Sequence, residues 1–438
     1  MRLTTYKHSI SHFHFKPAIR NGGGLFLFLH ASNSNAGRLP ALDNRPMNCY
    51  PMPEMTLWLI IGSFCIAFLF ALGLNWLALI PWRRSVGKHW TERARLLNPA
   101  RTSARLNNWL IPANLSIISS ILCPDVSFLF AAIPSFLAAL VAGYFFSREV
   151  VPEVSFKSWL HLVAASLFLF FIWWAVLMFA IFNMPLNFSC WTWLSASAVL
   201  ALMLAFNFGL GIKLLRWFGL VQPASERLKA LVEVVSNQMK VTVRATWILS
   251  THLSNALAFP LTRQLVFTDK LLSTCTDDEI KAVCAHELGH LNEPRKVVLT
   301  RVLVSMAFYP TIFARPMSSL GDLGTHAYFI LIIGSLILWL IGIRVARRME
   351  SRADKIAAEN QVDAAVYARA LERLYETNLM PAVMPRRSAK IHPDLYDRMT
   401  AAGVTPDYPK PKPAKGQSWT SYLMFYLAII LAILTCLG

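Results

Sequence analysis

Six long apolar runs constrain this chain more than any other feature. Residues 56–80, 126–146, 159–182, 191–211, 326–344 and 418–437 are nearly free of charge, and each is long enough to cross a bilayer as a helix. Residues 298–314 form a shorter seventh run, and 109–123 an eighth that is interrupted by Pro112. Inside lipid every backbone polar group needs an internal partner, so such runs restrict the fold to packed helices. With 55% hydrophobic and only 15% charged residues among 438, the composition is that of a polytopic membrane protein, not of a soluble enzyme. Trp58, Trp76, Trp82, Trp159, Trp191, Trp193 and Trp419 fall near run ends, where interfacial anchors belong.

The net charge of +18 could suggest nucleic acid, but the basic residues cluster beside apolar runs, where the positive-inside rule accounts for them. No nucleic-acid partner is expected. The loop 81–108 and the segment after Arg344 are both strongly basic, so both are expected on the cytoplasmic side. An even number of crossings must then separate them. Counting 109–123 as a partial crossing, turned back at Cys123-Pro124-Asp125, gives that parity and eight membrane segments in all. Seven cysteines lie scattered without C-x-x-C pairs, and Cys65, Cys284 and Cys436 sit inside apolar helical patterns, which favours small core residues over disulfides or thiolate metal sites.

Residues 1–55 are unlike the rest, with scattered Arg, Lys and His and one short apolar run. They read as a disordered segment, or as untranslated if synthesis begins at Met52 or Met55. A membrane unit at 56–211 follows. The block 212–400 is interrupted by the runs 298–314 and 326–344, and a Pro- and Lys-rich linker, 401–417, leads to the last run. Within the block, Leu228, Leu231, Val232 and Val235 predict an amphipathic helix over Glu226–Met239. V-R-A-T-W-I-L reads as a strand, and A-L-A-F with Q-L-V-F-T as a hairpin turning at Leu261-Thr262-Arg263.

The chemistry concentrates in T-D-D-E-I-K-A-V-C-A-H-E-L-G-H-L-N-E-P, residues 276–294. Thr276 followed three residues later by Glu279 is a capping box, Asp277 and Asp278 suit the positive end of the helix dipole, and Pro294 closes the helix. His286 and His290 are four residues apart, about 40° from eclipsed, so both imidazoles project from one face and can share one metal ion. Glu287 sits one residue round, placed to work on water activated by the metal without being a ligand. Ile280, Val283, Cys284 and Leu288 give the helix an apolar side to bury.

A two-His site needs a third protein ligand, and E-S-R-A-D at 350–354 offers one. HELGH, two apolar segments and then E-x-x-A-D resemble the membrane gluzincin metallopeptidases typified by HtpX and the CAAX prenyl proteases. S-N-A-L-A-F (254–259), L-V-F-T-D-K-L-L (265–272) and H-P-D-L-Y-D-R-M (392–399) extend the resemblance over roughly 225–400. It implies one zinc ion per chain on His286, His290 and Glu350, with Glu287 as general base and Asp354 orienting a ligand His. It also implies His392 and Arg398 beside the metal, His392 stabilising the oxyanion, and an edge strand at Asn255 and Ala256 that pairs with a peptide substrate. The fold class expected is mainly α, a polytopic α-helical membrane protein with a small α+β zincin-like catalytic domain. The two runs between His290 and Glu350 force the ligands to come from opposite ends of a membrane hairpin, close to the membrane face.

The leading function is a membrane-embedded zinc endopeptidase, in the cell (inner) membrane with its site on the cytoplasmic side, acting on peptide or protein substrates that are themselves membrane-associated. Quality control of membrane proteins is one role and processing of prenylated CAAX-type peptides the other. A catalytically silent receptor or scaffold is a third reading, against which the intact HELGH and E-S-R-A-D argue. A transporter is disfavoured because the runs carry almost no charge.

Overall fold

A computed structural model describes residues 53–437 apart from 125, 362 and 386–392. The expectations for most of residues 1–55 and for His392 therefore lie outside the described residues. The chain opens with three helices, α1 (Pro53–Arg83), α2 (Trp90–Leu122) and α3 (Leu129–Val150), which pack on one another and on the last helix, α16 (Trp419–Leu437). Small residues make the close approach: Ala67, Ala71, Ala138, Ala139 and Ala142 are all buried between α1 and α3. Packing of this kind replaces the hydrophobic driving force that lipid does not supply. Leu69, Phe70, Phe130 and Ile133 are exposed, as suits a lipid-facing surface. Cys65 is exposed on that surface and not in the core, whereas Cys284 is buried.

The second unit begins with α4 (Phe156–Ser166), joined through a π-helical turn, Leu167–Phe171, to α5 (Ile172–Asn183). The run 159–182, which the sequence presents as one straight span, is thus bent by 56°. Helices α6 (Cys190–Asn207) and α7 (Leu210–Trp217) break the run 191–211 at Phe208-Gly209. Gly211 on α7 fits against the π turn because a Cβ there would lie 2.7 Å from the Phe168 carbonyl oxygen.

Strand β1 (Val221–Pro223), helix α8 (Glu226–Met239) and strands β2 (Ala245–Leu249), β3 (Ala256–Phe259) and β4 (Gln264–Thr268) follow. The sheet order is β1-β2-β4-β3, with β2 parallel to β4 and the other pairs antiparallel. The β3–β4 hairpin has the register Ala256↔Phe267 to Phe259↔Gln264, and Arg263 takes a positive φ of 53° in its turn. Strand β3 is an edge strand. One sheet face, with Ala256, Leu265 and Phe267, joins the main core of the second unit. The opposite face, with Leu249, Leu257 and Val266, packs on Ala165, Leu169, Ile212 and Leu215 of the membrane helices.

After the short α9 (Asp269–Thr274) come α10 (Asp277–Leu291), α11 (Arg295–Ser305), a 3-10 turn at Tyr309–Phe313, α12 (Ala314–Ser318) and α13 (Gly321–Glu359). A Cβ on Gly342 would come within 2.4 Å of Val304, so this glycine lets α13 lie directly on α11. Helices α14 (Ala364–Thr377) and α15 (Leu395–Ala401) close the second unit. By length and composition five helices can cross a membrane, or six if the bent pair is one span. The eight expected segments exceed this by α16, whose apolar length is short, and by the second half of α2, which runs unbroken through Pro112 and ends at Leu122, where the expected turn begins. The architecture is a mainly α, multi-pass membrane protein with a small α+β unit.

Candidate active site

Helix α10 is built by its own sequence. Thr276 Oγ1 accepts from the Glu279 N–H at 3.4 Å, and Glu279 Oε2 accepts from the Thr276 N–H at 2.8 Å, completing the capping box. Ile280, Cys284 and Leu288 are fully buried, which fixes the rotation of the helix and so the direction of His286, Glu287 and His290. Burial also pushes the Cys284 thiol well above its ordinary pKa, so it stays a neutral core group. Helix α13 crosses α10 at Gly289, where an added Cβ would sit 3.3 Å from the Ala353 Cα. This close crossing delivers Glu350.

His286, Glu287, His290 and Glu350 are all buried, at 8, 9, 7 and 8% exposure. His286 Nε2 lies 3.6 Å from Glu350 Oε2, and His290 Nε2 lies 3.6 Å from Glu350 Oε1. One donor atom from each of the three residues falls within 4.8 Å of the other two, which makes them a candidate metal site.

A carboxylate stands behind each imidazole. Asp354 Oδ1 is 3.2 Å from His286 Nδ1, and the Tyr367 hydroxyl, 2.9 Å from the same nitrogen, donates to Asp354 Oδ1 at 2.6 Å. Arg398 clamps Asp354 from the far side, Nε donating to Oδ2 at 2.9 Å and Nη2 to Oδ1 at 2.5 Å. On the other ligand, His290 Nδ1 lies 2.8 Å from Glu293 Oε1, which also accepts from Arg301 Nη2 at 2.6 Å. With Nδ1 of His286 held by the Tyr367 hydroxyl and Asp354, and Nδ1 of His290 by Glu293, the Nε2 atoms of both rings face Glu350.

Burial disfavours charge on His286, but Asp354 and Glu350 outweigh it and raise its pKa. Burial opposes charge on His290 as well, and Glu293 and Glu350 lift its pKa to about 10. Burial keeps Tyr367 protonated against the pull of Arg398, so it remains a donor to Asp354.

The remaining expected residues fall in two places. Arg398 is buried, with its guanidinium on Asp354 and Tyr367, so it touches the site through His286 and not directly. Asn255 is exposed at the start of β3; its carbonyl accepts from the Thr268 N–H at 3.0 Å, and its N–H donates to Thr268 Oγ1 at 2.9 Å. Because backbone groups alternate along an antiparallel pair, the N–H and C=O of Ala256 and Ala258 point away from β4, along the open edge. Glu293, Arg301 and Tyr367 were not expected. The only hint for Glu293 was its position three residues after His290, on the same helical side.

Residues 223–404 match the model of Peptidase family M48. The chain is 26% identical over 190 residues to Protease HtpX of Hahella chejuensis, covering 40% of this chain and 61% of that protein. It is 28% identical over 170 residues to Protease HtpX of Pseudomonas putida strain F1, covering 35% and 57% respectively. A Protease HtpX homolog of Thermoplasma volcanium is 28% identical over 137 residues, 30% of this chain and 44% of that protein. The chain thus spans about 60% of the length of the first two relatives. The matched region begins at the end of β1 and ends just past α15, enclosing every residue of the site, so this part of the chain is similar to Peptidase family M48 and to the proteases named HtpX.

Proposed function

We propose that the chain is a zinc-dependent endopeptidase that hydrolyses peptide bonds at the membrane face. The observation that carries this reading is the His286–His290–Glu350 group. His286 Nε2 faces Oε2 and His290 Nε2 faces Oε1 of the same carboxylate, each at 3.6 Å, and one donor atom from each residue lies within 4.8 Å of the other two, close enough to share one ion. Two imidazoles and one carboxylate are also a donor set that zinc favours. When bound, zinc supplies Lewis acidity that brings a water towards ionisation at neutral pH and polarises a carbonyl oxygen.

The protein's own groups do the rest. Glu287 takes a proton from water as the water oxygen attacks the peptide carbonyl, then gives it to the leaving nitrogen as the C–N bond breaks. The open edge of β3 holds the substrate through the backbone of Ala256 and Ala258, which gives affinity with little demand on sequence. Asn255 stands exposed at the entry to that edge. Arg398 is a positioning residue acting through Asp354, and His392 is retained as the group that stabilises the oxyanion. The basic segments 81–108 and 344–415 support a cytoplasmic site in a cell membrane. The names of the relatives favour the HtpX reading, degradation of membrane-associated or unfolded proteins, over prenyl-peptide processing.

The test uses the full chain, purified in detergent, with denatured dye-labelled casein as substrate. Zinc-loaded protein is expected to cleave it, a strong zinc chelator to abolish cleavage, and added zinc to restore it. Cleavage that persists after zinc has been stripped sinks the mechanism.

Glu293→Gln tests the support behind His290. Removing the charge that orients the imidazole is expected to weaken zinc retention by about 10–100-fold, the scale for outer partners of metal ligands. Competition with a chromophoric chelator reads this without reference to activity. Unchanged retention would leave Glu293 as a partner of Arg301 alone.

A further inference from the structure

Strand geometry divides any peptide added to β3 into two sets of side chains. On β3 itself Ala256 and Ala258 turn towards the core shared with α10, whereas Leu257 and Phe259 turn to the face covered by membrane helices. Residues directly opposite one another in neighbouring strands put their side chains on the same face. A substrate residue opposite Ala256 therefore faces α10, and one opposite Leu257 faces α4 and the π turn.

That second face is not fully packed. A cavity of about 170 Å³ lies between it and the bent span, lined by Leu162, Ala165 and Leu169 on one side and Leu249, Leu257 and Val266 on the other. Asn255, which is exposed at the start of the edge strand, also lines it. Its walls are mostly apolar. An apolar cavity of about 150 Å³ takes a benzene ring, so this one has room for a single mid-sized side chain. Thr251 adds a second observation. It lines the cavity, is only 4% exposed, and its hydroxyl has no partner among the described residues.

We propose that this cavity is a specificity pocket for one substrate side chain, of the size of leucine or methionine, on a residue paired beside Leu257. The methionine thioether, a weak acceptor, would meet the Thr251 hydroxyl. The pocket deepens the peptidase reading and rests on it: the backbone of Ala256 and Ala258 holds any extended segment, and the membrane-side pocket selects which segment is held in register. Segments of membrane proteins, rich in leucine and methionine, are the substrates this combination fits.

The experiment maps cleavage sites in a peptide library by mass spectrometry, using the full chain in detergent with zinc. The wild type is expected to favour leucine, methionine or phenylalanine at one fixed distance from the cut, over alanine, tryptophan or lysine by about tenfold or more. Leu162→Trp narrows the pocket and should move that preference to alanine or serine, with bound zinc and preferences at other positions unchanged. Leu257→Ala widens it and should admit tryptophan. Wild-type cleavage without preference at any fixed position would overturn the inference, as would a preference that both zinc-bound variants keep. A uniform loss across all peptides in Leu162→Trp, with Leu257→Ala unchanged, would do so too, by assigning the cavity to lipid or detergent. Absence of cleavage by zinc-loaded wild type would overturn the peptidase reading itself, and the pocket with it.

Discussion

Glu287→Gln is expected to lower turnover of denatured casein by about 10²–10⁴-fold, the scale of general acid–base catalysis, while the zinc content stays at the wild-type level. Expressed as barrier height this is about 3–5 kcal/mol. Glutamine keeps the shape of the side chain in a position that is only 9% exposed, so the packing of α10 has no reason to change. The candidate metal donors, the His286 and His290 rings and Glu350, are all unaltered. What the substitution removes is the carboxylate proposed to accept the water proton. Measured together, turnover and zinc content separate the alternatives. Equal activity in the variant removes Glu287 from the mechanism, and loss of zinc along with activity makes it a ligand.

Glu350→Ala is expected to lose zinc and activity together, with the fall in zinc retention exceeding the 10–100-fold typical of outer partners because a direct donor is removed. Among the described residues, the two carboxylates behind the histidines are already engaged elsewhere. Asp354 is held by Arg398 and Tyr367 on the Nδ1 side of His286, and Glu293 is held by Arg301 on the Nδ1 side of His290. Among the described residues, Glu350 completes the group whose donor atoms converge. Zinc content after dialysis against a moderate chelator checks this. Retention at the wild-type level would give the third ligand position to another residue.

The sequence is most legible where interactions are local. The start of α10 follows from a capping box three residues wide, and the direction of its histidines from apolar residues on the same helix. The β3–β4 hairpin follows from two short strands and the turn between them. Glu350 and Asp354 needed the family resemblance, because they reach the site only after the chain has crossed α11 and α13. Tyr367 shows why local reading stops. It sits on α14, a separate helix, and nothing around it in sequence marks it as a partner of His286.

Two membrane expectations failed for physical reasons. Pro112 removes one backbone donor from α2, yet the helix continues through it, with neighbouring helices α1, α3 and α16 packed around it. The apolar run 159–182 carries no local signal for its bend. The π turn at Leu167–Phe171 is met by Gly211, some forty residues on, whose missing side chain makes room for the Phe168 carbonyl.

Helix α13 runs unbroken from Gly321 to Glu359. Its apolar part centres near residue 335, and Glu350 lies fifteen residues further on, about 22 Å along the axis at 1.5 Å per residue. The helix is therefore a lever with its fulcrum in lipid. A tilt of about 5° around that fulcrum sweeps the Glu350 carboxylate by about 2 Å, as much as one zinc–oxygen bond length. Long spans adjust to bilayer thickness by tilting. Against that lever stands the close crossing at Gly289 and Ala353, which ties α13 to α10 and so holds Glu350 in step with the two histidines.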